Sequence, residues 1–149
     1  MNPSYKNLSG EDWAIFKDLI STFGEAFEDP ERYQSAVPSD AYLSSFLSKD
    51  HIIVIAAMDG EIVLGGLVAY ELEKFEQERK EIYIYDLAVS TPHRRRGIAT
   101  ELIKQLRKAG ETRGACVIFV QADQEDLPAV RLYESLGTRE DVFHFDIEV

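Results

Sequence analysis

Apolar residues first recur at helical spacing. Trp13, Phe16, Ile20 and Phe23 fall three or four positions apart, the period of one helix face. Ser9-Gly10-Glu11-Asp12 ahead of them has the form of a capping box, so a helix is predicted to end near Gly24. Tyr42, Leu43, Phe46 and Leu47 repeat the pattern behind Ser39, a candidate N-cap, and predict a second helix reaching Ser48. Between the two, Glu25 to Pro38 is acidic and marked by prolines, and reads as a loop or a broken helix. The period then shortens. His51 to Met58 is rich in β-branched residues, Asp59-Gly60 is a hairpin-turn signal, and Glu61 to Glu73 returns as the partner strand. Lys80 to Ser90 carries Ile82, Tyr83, Ile84, Tyr85, Leu87 and Val89, a run that predicts a central strand buried on both faces. After Thr91-Pro92, the stripe Ile98, Leu102, Ile103, Leu106 predicts a helix to about Gly110, and Ala115 to Ala122 a further strand. Asp126-Leu127-Pro128 opens a last helix ending at Gly137, with Asp126 at or beside its N-cap and Pro128 in its first turn. Val142 to Glu148 reads as a final strand. The hairpin followed by strand-helix-strand units predicts an α/β sandwich in one domain over residues 1–149.

Composition narrows the classes of function. The 27 acidic and 16 basic side chains leave a net charge of −11, which repels the phosphates of nucleic acid and of anionic membranes and favours a cationic partner. Neither a nucleic-acid nor a membrane partner is expected. One cysteine, Cys116, precludes an internal disulfide and fits a reducing, cytoplasmic setting. His51, His93 and His144 have no ligand-like spacing, and no metal is expected. The cationic side chains are unevenly placed. Between residues 93 and 108, Arg94, Arg95, Arg96, Lys104, Arg107 and Lys108 face the single acid Glu101. Three adjacent arginines are either an exposed turn or one wall of an anion site.

The second possibility gains from the order of elements. Asp86-Leu87-Ala88-Val89 ends a strand, and Arg94-Arg95-Arg96-Gly97-Ile98-Ala99 begins a helix. The free N–H groups of a first helical turn and the helix dipole bind anions, and small residues let a phosphate approach the backbone. Arg94-x-x-Gly97-x-Ala99, preceded by a strand ending Leu-Ala-Val-Ser, resembles the Q/R-x-x-G-x-G/A signature of the GCN5-related N-acetyltransferases. Asp126-x-x-Ala129-x-x-Leu132-Tyr133-x-x-x-Gly137 resembles the later N-x-x-A-x-x-L-Y-x-x-x-G helix of that family. The sequence departs from the family where Ala99 replaces the second glycine, Asp126 replaces asparagine, and Thr138 stands in place of an aromatic. Phe75-Glu76-Gln77, the strand Glu81 to Val89, His93-Arg94-Arg95, Val120-Gln121-Ala122-Asp123 and His144-Phe145-Asp146-Ile147 resemble the type I aminoglycoside 3-N-acetyltransferases in particular.

The resemblance implies a mixed central sheet flanked by helices, with a splayed central strand forming the acyl-CoA site. It implies acetyl-CoA as co-substrate and transfer to the 3-amine of an aminoglycoside, an antibiotic-resistance activity whose polycationic acceptor agrees with the acidic remainder of the chain. A polyamine, another small amine or a peptide is the alternative acceptor, and a non-catalytic acyl-CoA-binding module the alternative class. Strand groups at Leu87, Ala88 and Val89 are expected along the pantetheine. Arg94, Arg95, Arg96, Gly97, Ile98 and Ala99 are expected at the pyrophosphate, and Asp126, Ala129 and Tyr133 also on the coenzyme side. Tyr133 is the candidate proton donor to the leaving thiolate, or else a core aromatic near a helix end.

For the general base, Asp86 is the first candidate, because an ionisable group among Ile, Tyr, Leu and Val is costly unless paired or used. Tyr85 supports it or relays through water, Glu81 is the substitute, and pairing of Asp86 with an arginine or backbone amides is the structural alternative. Strict alternation puts Glu81 and Asp86 on opposite faces; only a bulge brings them together. Glu28, Asp29, Glu31, Asp123, Glu125 and Asp146 are the candidate acceptor carboxylates, each also readable as a solvated surface acid. His144 is expected to be structural. The apolar strand Val142 to Val149 suits a sheet edge, with pairing to a second copy and hence a homodimer.

Overall fold

In the computed structural model, which describes residues 2–149, the strand signals assemble into one mixed sheet in the order β1-β2-β3-β4-β5. The strands are β1 Ser4–Asn7, β2 Ile52–Asp59, β3 Ile62–Glu73, β4 Lys80–Val89 and β5 Ala115–Val120. The first four pair antiparallel in sequence order, and β5 joins β4 parallel. A parallel pair needs a crossover, which the helix α4, Ile98–Arg113, provides. The other helices are α1 Trp13–Ala26, α2 Pro30–Gln34, α3 Asp40–Leu47 and α5 Leu127–Glu134.

Two cores form because the sheet is apolar on both sides. Ile53, Ile55, Leu67, Ile82 and Ile84 pack with Ile98, Leu102 and Leu106 of α4, and Leu132, Tyr133 and Leu136 adjoin them partly buried. On the opposite face Val54, Ala56, Val68 and Ala88 meet Phe16, Leu19 and Phe23 of α1 and Leu43 and Leu47 of α3. Each fully buried Val, Leu, Ile or Phe side chain among these contributes roughly 1.5–3 kcal/mol, so these stripes anchor both helical layers. No helix among the described residues is long and apolar enough to cross a membrane.

Several elements differ from expectation, each for a local reason. The strand β1, which has no apolar alternation of its own, forms by pairing Tyr5 with Ala57 on the edge of β2. Within the segment read as a loop or broken helix, Pro30 at the first turn and Asp29 as N-cap, its carboxylate accepting from the Arg32 N–H at 3.2 Å, start α2. The hairpin register pairs Asp59 with Ile62, so the turn lies at Gly60-Glu61, one residue later. Gly110 is buried inside α4, which stops instead at Gly114, a left-handed C-cap with φ 76°. The strand β4 is not buried on both faces: Ile82 and Ile84 are buried, but Tyr85 is 56% exposed on the other side. The expected strand Val142 to Glu148 does not form; residues 138–149 are exposed, with neither helical nor strand backbone, and pair with no edge of the sheet.

Candidate active site

The site is built around the end of β4, where its two neighbours stop matching it. Pairing with β5 runs from Lys80–Ala115 to Ile84–Val120 and goes no further. On the other side β3 pairs Ala69 with Ile84 but Val68 with Asp86, so Tyr85 is an extra residue, a bulge. From Tyr85 to Val89 the β5-facing edge of β4 therefore has no strand partner. This is the splayed central strand, and between Leu87 and Val89 the backbone groups on that edge, other than the Val89 carbonyl, which Arg94 engages, are available to an extended ligand.

The bulge also resets the alternation. Ile82 and Ile84 point to the α4 core, and beyond Tyr85 Leu87 and Val89 do so, whereas Ala88 joins the α1 core. Asp86 accordingly lies opposite Val68 on the α1 side, the face that also carries Tyr83 opposite Tyr70 and Glu81 opposite Leu72. Glu81 and Asp86 thus share a face. They do not share an environment. Glu81 is held at 3.8 Å from Lys74 Nζ and 3.7 Å from Arg79 Nη2, within a cluster that includes Glu76. Asp86 is partly buried and has no basic side chain in contact; the Tyr33 hydroxyl of α2 donates to its Oδ2 at 2.9 Å. Burial pushes the Asp86 carboxyl above the ordinary carboxylate range, opposed by the Tyr33 hydrogen bond and the Arg32 charge. Burial and the Asp86 carboxylate in turn raise the Tyr33 hydroxyl, which stays protonated as a donor.

Tyr33 was not among the residues singled out from sequence. It reaches Asp86 because α2 packs tightly on α1 at Gly24, where an added Cβ would stand 3.2 Å from the Tyr33 Cβ. Gly24 thus serves as a packing site inside α1 rather than as its end. Phe23 and Phe27 flank the Tyr33 ring at 6.2 and 5.8 Å between centroids. Further aromatics continue this wall: Tyr70 meets Tyr85 edge-on at 6.0 Å, Tyr83 meets Tyr85 at 5.9 Å, and Phe119 stacks on Tyr83 at 4.8 Å. Period-two spacing on β4 could identify Tyr83 and Tyr85; nothing local identifies Tyr33 or Phe119.

Beyond β4 the chain makes a 3₁₀ turn, Thr91–His93, and enters α4 through the arginines. Arg94 is only partly available to a ligand, since its Nε donates to the Val89 carbonyl at 2.9 Å and pins the turn. Arg95 takes a left-handed conformation, φ 62°, and Gly97 follows at φ 78°. No side chain caps α4 at Gly97, so its first-turn N–H groups at Ile98, Ala99 and Thr100 have no intrahelical acceptors. A Cβ at Gly97 would meet nothing within 4 Å. An open glycine, uncapped amides and the exposed Arg95 and Arg96 form a cationic cradle whose donors suit a pyrophosphate. The Ile98 side chain is buried, so only its N–H faces such a ligand. In the same turn His93 Nδ1 is buried without a hydrogen-bond partner.

On α5, Asp126 is the N-cap, accepting from the Ala129 N–H at 3.3 Å. Tyr133 is partly buried against the α4 core; burial and the charges of Asp126 and Asp86 push its hydroxyl up to about 12. It is protonated at neutral pH and within electrostatic reach of Asp86. Among the acceptor candidates, Asp29 caps α2, Glu31 lies on α2, and Glu28 precedes them in a left-handed conformation, φ 53°. All three lie on the segment that delivers Tyr33 to Asp86, Glu28 and Glu31 exposed and Asp29 half-buried. Asp123 and Glu125 are exposed in the β5–α5 loop. Asp146 is not brought to this site by its own chain: it pairs with His144 at 2.8 Å on the exposed segment.

The model of the Acetyltransferase (GNAT) family matches residues 13–138. A solved aminoglycoside acetyltransferase from an uncultured soil metagenomic sample is 54% identical, over 100% of this chain and 99% of that one, with a TM-score of 0.98. Another aminoglycoside acetyltransferase of soil metagenomic origin, solved in complex with sisomicin, is 31% identical over 99% of this chain and 96% of its own, with a TM-score of 0.91. N-acetyltransferase 8B of Rattus norvegicus is 30% identical over 81 residues, which is 54% of this chain and 36% of that protein. The match therefore spans about a third of that curated relative.

Proposed function

The chain belongs to the GNAT acetyltransferase family, whose members use acetyl-CoA, and on that premise we propose that residues 1–149 act as one domain, a cytoplasmic enzyme that acetylates aminoglycosides at the 3-amine of the 2-deoxystreptamine ring. The observation that carries the acceptor class is the 54% identity, over the whole chain, to an aminoglycoside acetyltransferase. The complex of the 31% identical relative with sisomicin supports it. The likeness of the β4, turn and 144–147 segments to 3-N-acetyltransferases directs transfer to the 3-amine.

Bound acetyl-CoA supplies the acetyl group as an activated thioester. Around it, the chain's own groups divide the work. The cradle at Arg95, Arg96, Gly97 and Ala99 binds the pyrophosphate, and the open backbone of Leu87 to Val89 holds the pantetheine and offers N–H groups to the thioester carbonyl. Asp86 takes the proton that the acceptor ammonium must lose before its nitrogen can attack; a carboxylate raised by burial is a stronger base for that step. Tyr133, protonated at neutral pH, returns a proton to the sulfur as the amide forms. Tyr33 is a positioning residue that holds the Asp86 carboxylate. Glu28, Asp29, Glu31, Asp123 and Glu125 supply negative charge for a polyamine-like acceptor, and Tyr83, Tyr85 and Phe119 flat surfaces for its rings.

The test is an acceptor panel of gentamicin-like aminoglycosides, spermidine and basic peptides, with thiol release followed and the acetylated nitrogen located by NMR. Rapid turnover with aminoglycosides and acetyl on the 3-amine is expected. Acetylation at another nitrogen overturns the regiochemistry, and turnover with spermidine or peptides alone overturns the acceptor class.

A further inference from the structure

Beside the open end of β4, two glycines follow one another on β3. Gly65 lies opposite Val89, the last residue of β4, and Gly66 opposite Ala88. Neither takes a left-handed φ, so alanine is conformationally admissible at both, and only the neighbours decide what a side chain there would cost. At Gly65 an added Cβ would stand 2.5 Å from the Ala88 carbonyl oxygen and 2.8 Å from the Val89 Cα, both backbone atoms of β4, with Val89 Cγ2 at 3.2 Å. At Gly66 it would meet the Ile55 carbonyl oxygen of β2 at 2.6 Å and the two Leu19 methyls of α1 at 2.7 and 2.8 Å. The two positions are comparably crowded, but by different elements: Gly65 by the strand that ends at the site, Gly66 by the core on the other face.

The Gly65 contact has a direction. Gly65 pairs with Ala57 on one side and Val89 on the other, and both of these belong to the α4 core, so the missing side chain would point to the α4 side. The backbone of β4 occupies that space, and the end of the strand lies partly over the face of β3 instead of beside it in the plane of the sheet. Leaning onto β3 carries it away from β5 on its other side, where pairing stops at Ile84–Val120. The next residue keeps the same course, since the Ser90 N–H donates to the Leu64 carbonyl at 2.8 Å. The bulge at Tyr85 changes which face the later residues present; the absent side chain at 65 lets the end of the strand tilt.

We propose that Gly65 is a positioning residue for the coenzyme: carrying no side chain, it lets the end of β4 tilt onto β3, and the tilt holds open the Leu87–Val89 edge that receives the pantetheine. This rests on the reading of that edge as the pantetheine site. A methyl group at 65 pushes Ala88 and Val89 back toward the plane of the sheet, and the backbone groups of the edge turn with them. The pyrophosphate cradle stands outside the contact, since it belongs to Arg95, Arg96 and the first turn of α4. The two ends of the coenzyme therefore respond differently to the same methyl. A methyl at 66 presses instead on Ile55 and Leu19, and lowers stability without turning the edge.

Calorimetric titration with two ligands separates these roles: coenzyme A, and 3′-phospho-ADP, its nucleotide end without the pantetheine arm. Gly65→Ala is expected to weaken coenzyme A binding by about tenfold, the upper weight of one neutral hydrogen bond, and to leave 3′-phospho-ADP within about twofold, as for a site that shares no partner with the substitution. Gly66→Ala is expected to lower Tm by a comparable amount and to leave the Kd of both ligands within about twofold. Should Gly65→Ala alone yield no folded protein, Gly65→Ala with Val89→Ala, which removes the 3.2 Å contact and keeps the two backbone ones, is compared with Val89→Ala in the same titrations. A double variant that does not fold either makes Gly65 a packing glycine and overturns the proposal. Equal weakening of both ligands by Gly65→Ala overturns it, as does no weakening of either or the same coenzyme A loss in Gly66→Ala. An unaltered chain that binds the two ligands equally refutes the pantetheine reading of the edge, and the role of Gly65 with it. Where the unaltered chain prefers coenzyme A, a failure in the variants refutes the role of Gly65 alone.

Discussion

Replacing Tyr33 by phenylalanine removes one oxygen and keeps the ring between Phe23 and Phe27, so the perturbation falls on Asp86. A hydrogen bond to a charged acceptor contributes about 1.5–3 kcal/mol. Asp86 is only partly buried, so water replaces part of the lost bond, and the net loss is about 1.4 kcal/mol, close to a factor of ten in the proton affinity of the carboxylate. The direction follows from the opposing causes at this group. Burial raises the Asp86 pKa, and the Tyr33 donor, which favours the ionised form, holds it down. Without the donor the acid limb of the kcat/KM profile moves to higher pH. On that limb the variant is about tenfold slower; on the plateau, where Asp86 is ionised in both proteins, the two agree within about twofold. The assay is thiol release from acetyl-CoA across a pH series with one aminoglycoside, so that titration of the acceptor amine is common to both profiles and cancels in their ratio. An acid limb that stays in place, or moves to lower pH, refutes the assignment of Tyr33 to the Asp86 carboxylate. A loss equal at every pH refutes it as well, since it would mean that Tyr33 acts on the substrate.

Asp86→Asn is expected to lower kcat by about 10²–10⁴ while coenzyme binding, followed by calorimetry, is kept. The same variant is expected to raise Tm at neutral pH. A carboxyl whose folded pKa is raised disfavours folding once it ionises, so the gain is greatest above the folded pKa and vanishes in acid, below the unfolded value. Tyr133→Phe is expected to reduce single-turnover rates with acetyl-CoA affinity unchanged, as its hydroxyl, pushed up to about 12, is protonated throughout the working range; unchanged single-turnover rates remove it as proton donor. Arg95→Ala with Arg96→Ala is expected to raise KM for acetyl-CoA several-fold, to flatten its dependence on ionic strength and to leave kcat nearly unchanged; a fall in kcat alone argues against the phosphate cradle.

Most of this fold is legible because its signals are local. The stripes of α1 and α4 and the β-branched run of β2 each bury against a sheet that any strand pairing would create, so the pattern predicts them without knowledge of the partner. The elements that escape prediction depend on partners far away in sequence. Ser4–Asn7 becomes a strand only because the β2 edge is free beside it. The segment 142–149 does not become one although its alternation is clean, because it does not pair with the free outer edge of β5. Alternation states that a segment can be a strand; whether it is one depends on a neighbouring edge.

The site shows the same division in its chemistry. Gly97 and the arginines stand out in the sequence because the free N–H groups of a first helical turn, beside small residues and cationic side chains, are suited to an anion. The relation of Glu81 to Asp86 cannot be so read. An even count of residues separates faces in a regular strand, and one unpaired residue, Tyr85, reverses the result. Once the two carboxylates share a face, what distinguishes them is their company. Lys74 and Arg79 lie beside Glu81 and hold its carboxylate in ion pairs. Asp86 has the neutral Tyr33 hydroxyl instead, a donor that orients a carboxylate without supplying a positive charge. The Tyr33 contact crosses 53 positions of sequence and depends on Gly24 letting α2 settle on α1. The proposed base is thus set apart from Glu81 by the packing of two helices, and it is there, rather than in the motif, that substitutions separating binding from turnover are to be sought.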